Sequence, residues 1–212
     1  MVGREALNLE KAEPSNKLEF WFEFASTYSY IAAMRIEDLC TQRGVRLVWK
    51  PFLLGPIFRM QGWEDSPFNL NPRRGSYMWR DMERLATKEN LAWRKPSVFP
   101  RNSTLAARFA CAAEAQTWCG DFIRRVFLAN FGEDADIGDS SVLQALLNEV
   151  GAPKDFSEYA ISPKCRGLLR RNTEAAIDLG IFGAPNCVVG GELFWGEETL
   201  SDALDWAVRH RT

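Results

Sequence analysis

The stretch FEFASTYSYIAAMRIEDLC, residues 22–40, joins the end of a strand to a short polar turn and the first turns of a helix. Apolar residues alternate well enough over 18–24 to predict a first strand that is buried on at least one face. Beyond the turn, large apolar residues recur at helical spacing until a glycine in the C-cap position, so a helix is predicted over 27–43. A second strand is predicted over 45–49. This βαβ order favours parallel strands joined by a right-handed crossover.

The polar turn carries two serines, Ser26 and Ser29, separated by two residues. Redox proteins keep a C-x-x-C pair at such a strand-to-helix corner, and serines cannot carry out that disulfide chemistry. Ser26 is expected to lie beside the unpaired N–H groups at the start of the helix and near the positive end of its dipole. Its simplest role is to cap its own helix, and the alternative is a role toward a ligand.

The composition of the 212-residue chain is that of an ordinary globular protein, with 46% apolar and 25% charged residues. With 26 basic and 28 acidic residues the formal net charge is -2, so nothing favours nucleic acid or an anionic membrane surface as a partner. No apolar run is long enough to span a bilayer. The polar residues 1–17 are predicted to form a flexible lead-in and not a signal peptide, and a cytoplasmic location is expected.

The scattered cysteines and the single histidine limit the possible chemistry. The cysteines contain no C-x-x-C pair, so they predict neither a disulfide framework nor a zinc site, and no metal is expected. Buried structural thiols are the simpler interpretation. His210 lies near the C-terminus, which disfavours catalytic designs that need an imidazole on a rigid element, including Ser-His-Asp hydrolysis. The five cysteines are Cys40, Cys111, Cys119, Cys165 and Cys187.

The remainder of the chain predicts a helical block followed by a return to strands. Proline and glycine breakers make residues 51–72 an irregular segment. Near the C-terminal end, residues 186–189 and 193–195 predict a hairpin around Gly190-Gly191. The predicted fold class is therefore α/β, a small α/β unit split by a helical insertion. The predicted helices are 75–90, 103–118, 121–131, 140–150, 165–179 and 201–209.

A second local feature is the sequence Phe182-Gly183-Ala184-Pro185, directly before the late hairpin. Pro185 is either a device that opens a strand or a cis-proline. In the second case Ala184, the preceding residue, would offer its backbone to an extended peptide.

Together and in this order, the two features resemble the thioredoxin superfamily, and the helical insertion resembles its DsbA-like branch. Within that branch the sequence is similar to the group of kappa-class glutathione transferases and 2-hydroxychromene-2-carboxylate isomerases, from residue 18 to about 209. The resemblance implies a thioredoxin-like domain made of 18–51 and 166–209, with 52–165 as an inserted helical domain. The blocks that carry it are FEFASTYSY (22–30), KPFLLGPIF (50–58), PRRGSYMWRDMERL (72–85), PSVFPRN (96–102) and FGAPNCVVGGELFWGEETL (182–200).

The resemblance implies that glutathione is the cofactor and supplies the thiol that the corner lacks. Ser26 would be the catalytic residue, donating a hydrogen bond that favours the thiolate, and the helix dipole would act in the same direction. A free thiol has a pKa of about 8.5, so lowering that pKa by about one or two populates the thiolate at neutral pH. Ser29 is interpreted as a helix-face or capping residue. Tyr28 is either a second hydroxyl near the sulfur or a packing residue.

The family motifs also imply contacts to the rest of glutathione. Ala184, with Pro185, would pair its backbone with the cysteinyl part as an added strand. Glu198 would direct its carboxylate to the ammonium of the γ-glutamyl end, and Glu197 would contribute only its N–H. Both glutamates have an alternative role as acids favoured at a helix start.

The glycyl end of glutathione is assigned to two further residues. Arg74 stands where the group has a lysine, and it would bind the glycyl carboxylate bidentately. The group's Gly-Asn-Lys-Pro-Pro loop is replaced here by residues 62–69, so Asn69 is the candidate for the missing amide contact.

Three functions remain open from the sequence. The first is glutathione-dependent cis-trans isomerisation of 2-hydroxychromene-2-carboxylate or a related aromatic acid. The second is a kappa-like transferase or peroxidase, and the third is a non-catalytic DsbA-like binding protein. A homodimer and a small aromatic or electrophilic substrate are implied as partners. The aromatic residues that would meet this substrate, unless they are core, are Phe52, Phe58, Trp63, Phe68 and Trp79.

Overall fold

The computed structural model describes residues 16–210. Most of the predicted lead-in, residues 1–15 of 1–17, lies outside the described residues. The described chain contains one four-stranded sheet and ten α-helices. In chain order the elements are β1 (Lys17–Phe22), α1 (Thr27–Arg43), β2 (Arg46–Pro51), α2 (Leu54–Met60), α3 (Pro67–Leu70), α4 (Pro72–Lys88), α5 (Thr104–Ala112), α6 (Cys119–Phe131), α7 (Ser140–Glu149), α8 (Phe156–Ile161), α9 (Leu168–Asp178), β3 (Asn186–Val189), β4 (Glu192–Trp195), a 3₁₀ turn (Glu197–Thr199) and α10 (Leu200–Arg209).

The sheet has the strand order β2–β1–β3–β4. β1 pairs in parallel with β2, as the βαβ pattern predicted, and antiparallel with β3, while β3 and β4 form the predicted hairpin. Phe20 in β1 is in register with Trp49 on one side and with Cys187 on the other. The α/β class predicted from the sequence is confirmed. Helices α2 to α9 all lie between β2 and β3 in the chain.

Alternate residues of β1 serve two hydrophobic cores. Phe20 and Phe22 belong to the larger core, where α1, α6 and α10 cover one face of the sheet, and the ring of Phe22 lies 5.7 Å from that of Phe127. Trp21 points to the opposite face and packs with Phe52 in a smaller core beneath α2 and α9. Burial on both faces explains why β1 is rich in large apolar residues.

Most predicted helices agree with the structure, and residues 51–72 do not. Helix α1 has the predicted bounds because both of its caps are local signals, Ser26 at the start and the left-handed Gly44 at the end. The segment predicted to be irregular contains α2 and α3. The breakers in the second half of that segment are helix starts: Pro67 and Pro72 occupy the first helical turn behind the capping side chains of Ser66 and Asn71.

Two further differences concern the inserted helices. The helix predicted over 103–118 ends at Ala112, and the chain continues in turns to Trp118, which packs edge-on against Phe156 at 4.7 Å. The short helix α8 was not predicted. No helix within residues 16–210 has the length and apolar character that a membrane span requires.

Candidate active site

The β1–α1 corner and the segment before β3 meet at one hydroxyl. Ser26 is the N-cap of α1, where its Oγ accepts a hydrogen bond from the N–H of Ser29 at 3.2 Å. The same Oγ donates to the carbonyl oxygen of Ala184 at 3.1 Å, across 158 positions of sequence. The Ala184–Pro185 peptide bond is cis. The capping role is therefore confirmed, and the cap also contacts the residue that precedes the cis-proline.

A large cavity opens beside this contact, with a volume of about 1340 Å³. Drug-sized ligands occupy sites of about 300–1000 Å³, so the cavity has room for more than one small molecule. One part of the lining, the corner wall, is drawn from residues 23–28 and 182–184, and another part, the loop wall, is drawn from residues 53–74. The sequence-predicted residues that line the cavity are Ser26, Arg74, Ala184, Glu197 and Glu198.

The turn that follows β4 places two acids side by side but in different environments. Glu197 is largely buried and pairs with Arg35 of α1 at 3.1 Å, and Arg35 also pairs with Glu89 at 3.1 Å. Burial raises the pKa of Glu197, and the neighbouring Arg35 lowers it in part. Glu198 is exposed at the cavity. The carboxylate that remains available to a ligand at this turn is therefore that of Glu198.

Gly196 makes this turn possible. Its φ of 101° is one that residues with a side chain rarely adopt, and an added Cβ would lie 2.5 Å from a carboxylate oxygen of Glu198. Glycine thus allows the Glu198 side chain to lie over the backbone at the edge of the cavity.

The start of α4 brings two arginines to the loop wall. The backbone N–H groups of Arg73 and Arg74 both donate to the side chain of Asn71 at 3.1 Å, so the capping of α4 fixes where their side chains emerge. Both arginines are exposed and line the cavity. The sequence predicted Arg74 and missed Arg73.

Asn69 does not reach the cavity. Its amide nitrogen donates to Asp65 Oδ2 at 3.0 Å and to the carbonyl oxygen of Phe99 at 3.1 Å, and the residue is not part of the cavity lining. Asn69 therefore connects the loop wall to the segment around Pro100. Pro185 also lies behind the lining, since Ala184 alone of the pair faces the cavity.

The aromatic residues proposed for a second substrate divide into two groups. Phe58, Trp63 and Phe68 line the cavity. Phe52 is fully buried in the smaller core, and Trp79 packs edge-on against Phe99 at 4.8 Å, so these two are packing residues.

Tyr28 connects the corner wall to the loop wall and to α4. Its ring lies 6.2 Å from that of Phe68, and its hydroxyl donates to Asp81 Oδ2 at 3.0 Å. Burial raises the pKa of Tyr28, and Asp81 adds to the effect, so the hydroxyl stays protonated and is already engaged.

Glu23 is a cavity residue that the sequence analysis missed. It is 5% exposed, and its carboxylate accepts hydrogen bonds from the N–H of Leu54 at 3.0 Å, the N–H of Ala25 at 3.4 Å and the hydroxyl of Ser103. Burial raises the pKa of Glu23, although these donors act against it. The one signal in the sequence was an acid between two phenylalanines at the end of the predicted strand.

The thiols are all buried and free, as the simpler interpretation of the five cysteines predicted. Burial raises the pKa of Cys111 and of Cys119 to about 12, and it also raises that of Cys187, which is 1% exposed in β3. None of the five lines the cavity. Within residues 16–210 no three His, Cys, Asp or Glu side chains come together as a metal site would require.

Comparisons with known proteins agree with this architecture. Residues 17–205 match the family model of the DsbA-like thioredoxin domain. A 2-hydroxychromene-2-carboxylate isomerase of Sphingobium xenophagum is 28% identical over 193 residues, covering 86% of this chain and 93% of the relative. Glutathione S-transferase kappa 1 of Caenorhabditis elegans is 26% identical over 179 residues, covering 80% and 78%. The solved structure of a 2-hydroxychromene-2-carboxylate isomerase superposes with a TM-score of 0.80 at 23% identity, covering 91% and 95%.

Proposed function

The chain belongs to the DsbA-like thioredoxin domain family, and from this premise we propose that it is a glutathione-dependent enzyme, a cis-trans isomerase of 2-hydroxychromene-2-carboxylate or a related aromatic acid. The proposal is supported by the names of the similar proteins, which are isomerases and kappa-class transferases. The observation that carries it is the position of Ser26. One hydroxyl caps a helix, contacts the residue before a cis-proline and faces a cavity large enough for two ligands.

The residues around the cavity fit a tripeptide thiol. Ala184 presents its backbone beside a cis-proline, which suits an extended peptide strand. Glu198 supplies an acid for the ligand's ammonium group, and Arg74 supplies a cation for a carboxylate. Arginines and an acid that come from different segments and line one cavity suit the carboxylates and the ammonium group of glutathione.

The proposed mechanism assigns one task to each group. Glutathione, held by Ala184, Arg74 and Glu198, would supply a nucleophilic sulfur whose reversible addition to the conjugated carbon permits rotation about a single bond. Ser26 would turn its one hydroxyl hydrogen, which it donates to the Ala184 carbonyl, to the sulfur and so favour the ionised form, assisted by the positive end of the α1 dipole. The backbone of Ala184 fixes the direction of the cysteinyl part. Phe58, Trp63 and Phe68 then form the surface for a planar substrate.

A kappa-like transferase is the second candidate because it would use the same contacts. The open cavity and the similarity to a kappa-class relative support this candidate as well. The two candidates differ only in the second substrate. A homodimer and a cytoplasmic location remain predictions. Light scattering on the purified protein would test the first.

The test is a pair of measurements on the purified protein. We expect millimolar glutathione to raise the melting temperature, since a ligand that binds only the folded state stabilises it. Ultraviolet assays with the chromene carboxylate and with a standard electrophile then distinguish isomerase from transferase. No change in melting temperature and no turnover of either substrate would contradict both candidates and favour a non-catalytic binding protein.

A further inference from the structure

Glu23 and Ser26 are held close together by the corner itself. The N–H of Ser26 donates to the backbone carbonyl of Glu23 at 2.9 Å, which closes a four-residue turn. Such a turn keeps its first and last Cα atoms within about 7 Å. Both residues line the same cavity. A buried acid and the hydroxyl to which the ligand's sulfur is assigned therefore belong to one turn of the cavity wall, three residues apart.

The groups that face Glu23 from each neighbouring segment are uncharged donors. They are the N–H of Ala25 in the corner, the N–H of Leu54 at the start of α2, and the hydroxyl of Ser103 before α5. The cation nearest in sequence to Ser103 is Arg101, and its guanidinium is directed to Asn130 and Asp134 instead. Glu23 thus has donors that favour its ionised form and no ion pair within residues 16–210, while burial raises its pKa, so the carboxylate can take up a proton when a second negative charge is placed near it.

Ionisation of a thiol at Ser26 would put a second negative charge near this carboxylate. Two negative charges on one turn, one of them buried, disfavour each other, so the pair is expected to hold one proton between them. The hydroxyl of Ser26 and the helix dipole favour the charge on sulfur, whereas burial disfavours it on Glu23. The proton then has a destination inside the protein.

We propose that Glu23 accepts the proton that the glutathione thiol loses when it binds beside Ser26. The S–H bond breaks, its electron pair stays on sulfur, and the proton forms an O–H bond on the Glu23 carboxylate. The negative charge moves from the carboxylate to the sulfur, and no proton is exchanged with solvent. This inference rests on the proposed function and adds a second residue to the chemistry of the corner.

The test counts protons released when glutathione binds. Titration calorimetry at pH 7.0 in two buffers with different ionisation enthalpies gives the number of protons released, and absorbance near 240 nm gives the fraction of bound thiolate. For the wild type we expect a thiolate signal with almost no proton released for each thiolate formed. For Glu23→Gln we expect about one proton released for each thiolate, because the internal acceptor is gone. Glu23→Asp keeps the acid but retracts it, so partial release is expected.

The controls separate this inference from a purely structural role of Glu23. Glu19→Gln alters an acid of β1 that accepts a hydrogen bond from Trp21 and pairs with Lys17 outside the cavity lining, and this variant should behave as the wild type. S-methylglutathione, which has no thiol proton, should bind with the same proton count to the wild type and to Glu23→Gln.

Two results would overturn the inference alone. One is release of about one proton per thiolate by the wild type, a measurement that needs no variant and stands even if Glu23→Gln fails to fold. The other is a Glu23→Gln protein that forms thiolate without releasing protons. If neither glutathione nor S-methylglutathione binds to the wild type, the proposed function itself fails.

Discussion

The corner wall of the cavity is held by hydrogen bonds between segments far apart in the chain, whereas the loop wall is built from short helices with exposed side chains. In the corner wall, Ser26 bonds to Ala184 and Glu23 bonds to Ser103, 158 and 80 positions away. In the loop wall, α2 and α3 span only seven and four residues, and Arg73 and Arg74 extend into solvent. We infer that the corner wall fixes the chemistry and that the loop wall binds, with Arg74 directed to glutathione and its aromatic residues directed to the second substrate. The following predictions test that division.

Loss of the corner hydroxyl should have the largest effect. Ser26→Ala removes the donor to the sulfur, and we expect kcat to fall by about 10²–10³-fold, as when a buried catalytic donor is deleted. The lost helix cap should cost about 1 kcal/mol, so the protein should remain folded. Steady-state kinetics and thermal melting measure the two effects.

Ser29→Ala is the matched control for this change. The Ser29 hydroxyl is buried and makes no hydrogen bond within residues 16–210, so its removal should leave kcat nearly unchanged. Equal losses of kcat in Ser26→Ala and Ser29→Ala would mean that any substitution at the corner impairs activity, and would contradict a specific role of Ser26.

Loss of the cation at the start of α4 should affect binding and not chemistry. Arg74→Met is expected to raise KM for glutathione about tenfold, equivalent to about 1.4 kcal/mol, with kcat nearly constant. Arg80→Met is the control, since Arg80 lies on the same helix, pairs with Glu83 and is outside the cavity lining. A fall in kcat with unchanged KM would place Arg74 in the chemistry and would contradict the division between the walls.

Truncation of an aromatic residue in the loop wall should affect the second substrate alone. Phe68→Ala is expected to raise KM for an aromatic substrate roughly three- to tenfold, in line with about 0.5–1.5 kcal/mol for an aromatic contact. KM for glutathione should not change. Tyr159→Ala removes an exposed aromatic ring outside the cavity lining and should alter neither value. A change in KM confined to glutathione would place Phe68 at the glutathione site and contradict its assignment to the second substrate.

The smallest expected effect is on the stability of the protein at low pH. Asp134 is hydrogen-bonded to Ser97 and Arg101 in the segment that follows α4. The hydrogen bond from the N–H of Ser97 and the contact with Arg101 lower the pKa of Asp134 from 3.8 to about 2. A carboxyl whose pKa is lower in the folded state stabilises the protein above about pH 4, and that stabilisation is lost as the pH falls through 2. The melting temperatures of the wild type and Asp134→Asn should therefore converge between pH 4 and pH 2. If the difference in melting temperature between the two proteins stays constant over this pH range, the ionised Asp134 is not the cause of that difference.

The sequence was sufficient where a signal was local. The bounds of α1 follow from Ser26 and Gly44, which sit on either side of it, and the hairpin follows from its two glycines. The loop wall was predicted poorly because proline and asparagine have two meanings, and Pro67 and Pro72 begin helices instead of interrupting them.

The candidate site was predicted in part, for a different physical reason. The sequence motifs predicted Ser26 and Ala184 as site residues, but only the structure shows that the side chain of Ser26 contacts the backbone of Ala184. The same motifs suggested Asn69 as a ligand contact, yet its amide is engaged with Asp65 and Phe99. Glu23 was missed because burial of an acid depends on segments 31 and 80 residues away, which no local pattern encodes.

The burial of the cysteine thiols has a consequence for the resistance of the protein to oxidation and alkylation. All five cysteines lie in the interior, so peroxides and alkylating agents meet no sulfhydryl of the protein at the mouth of the cavity. If the reactive sulfur arrives with glutathione, oxidative damage falls on a molecule that diffuses away and is replaced. Treatment with iodoacetamide before glutathione is added should therefore leave the enzyme fully active.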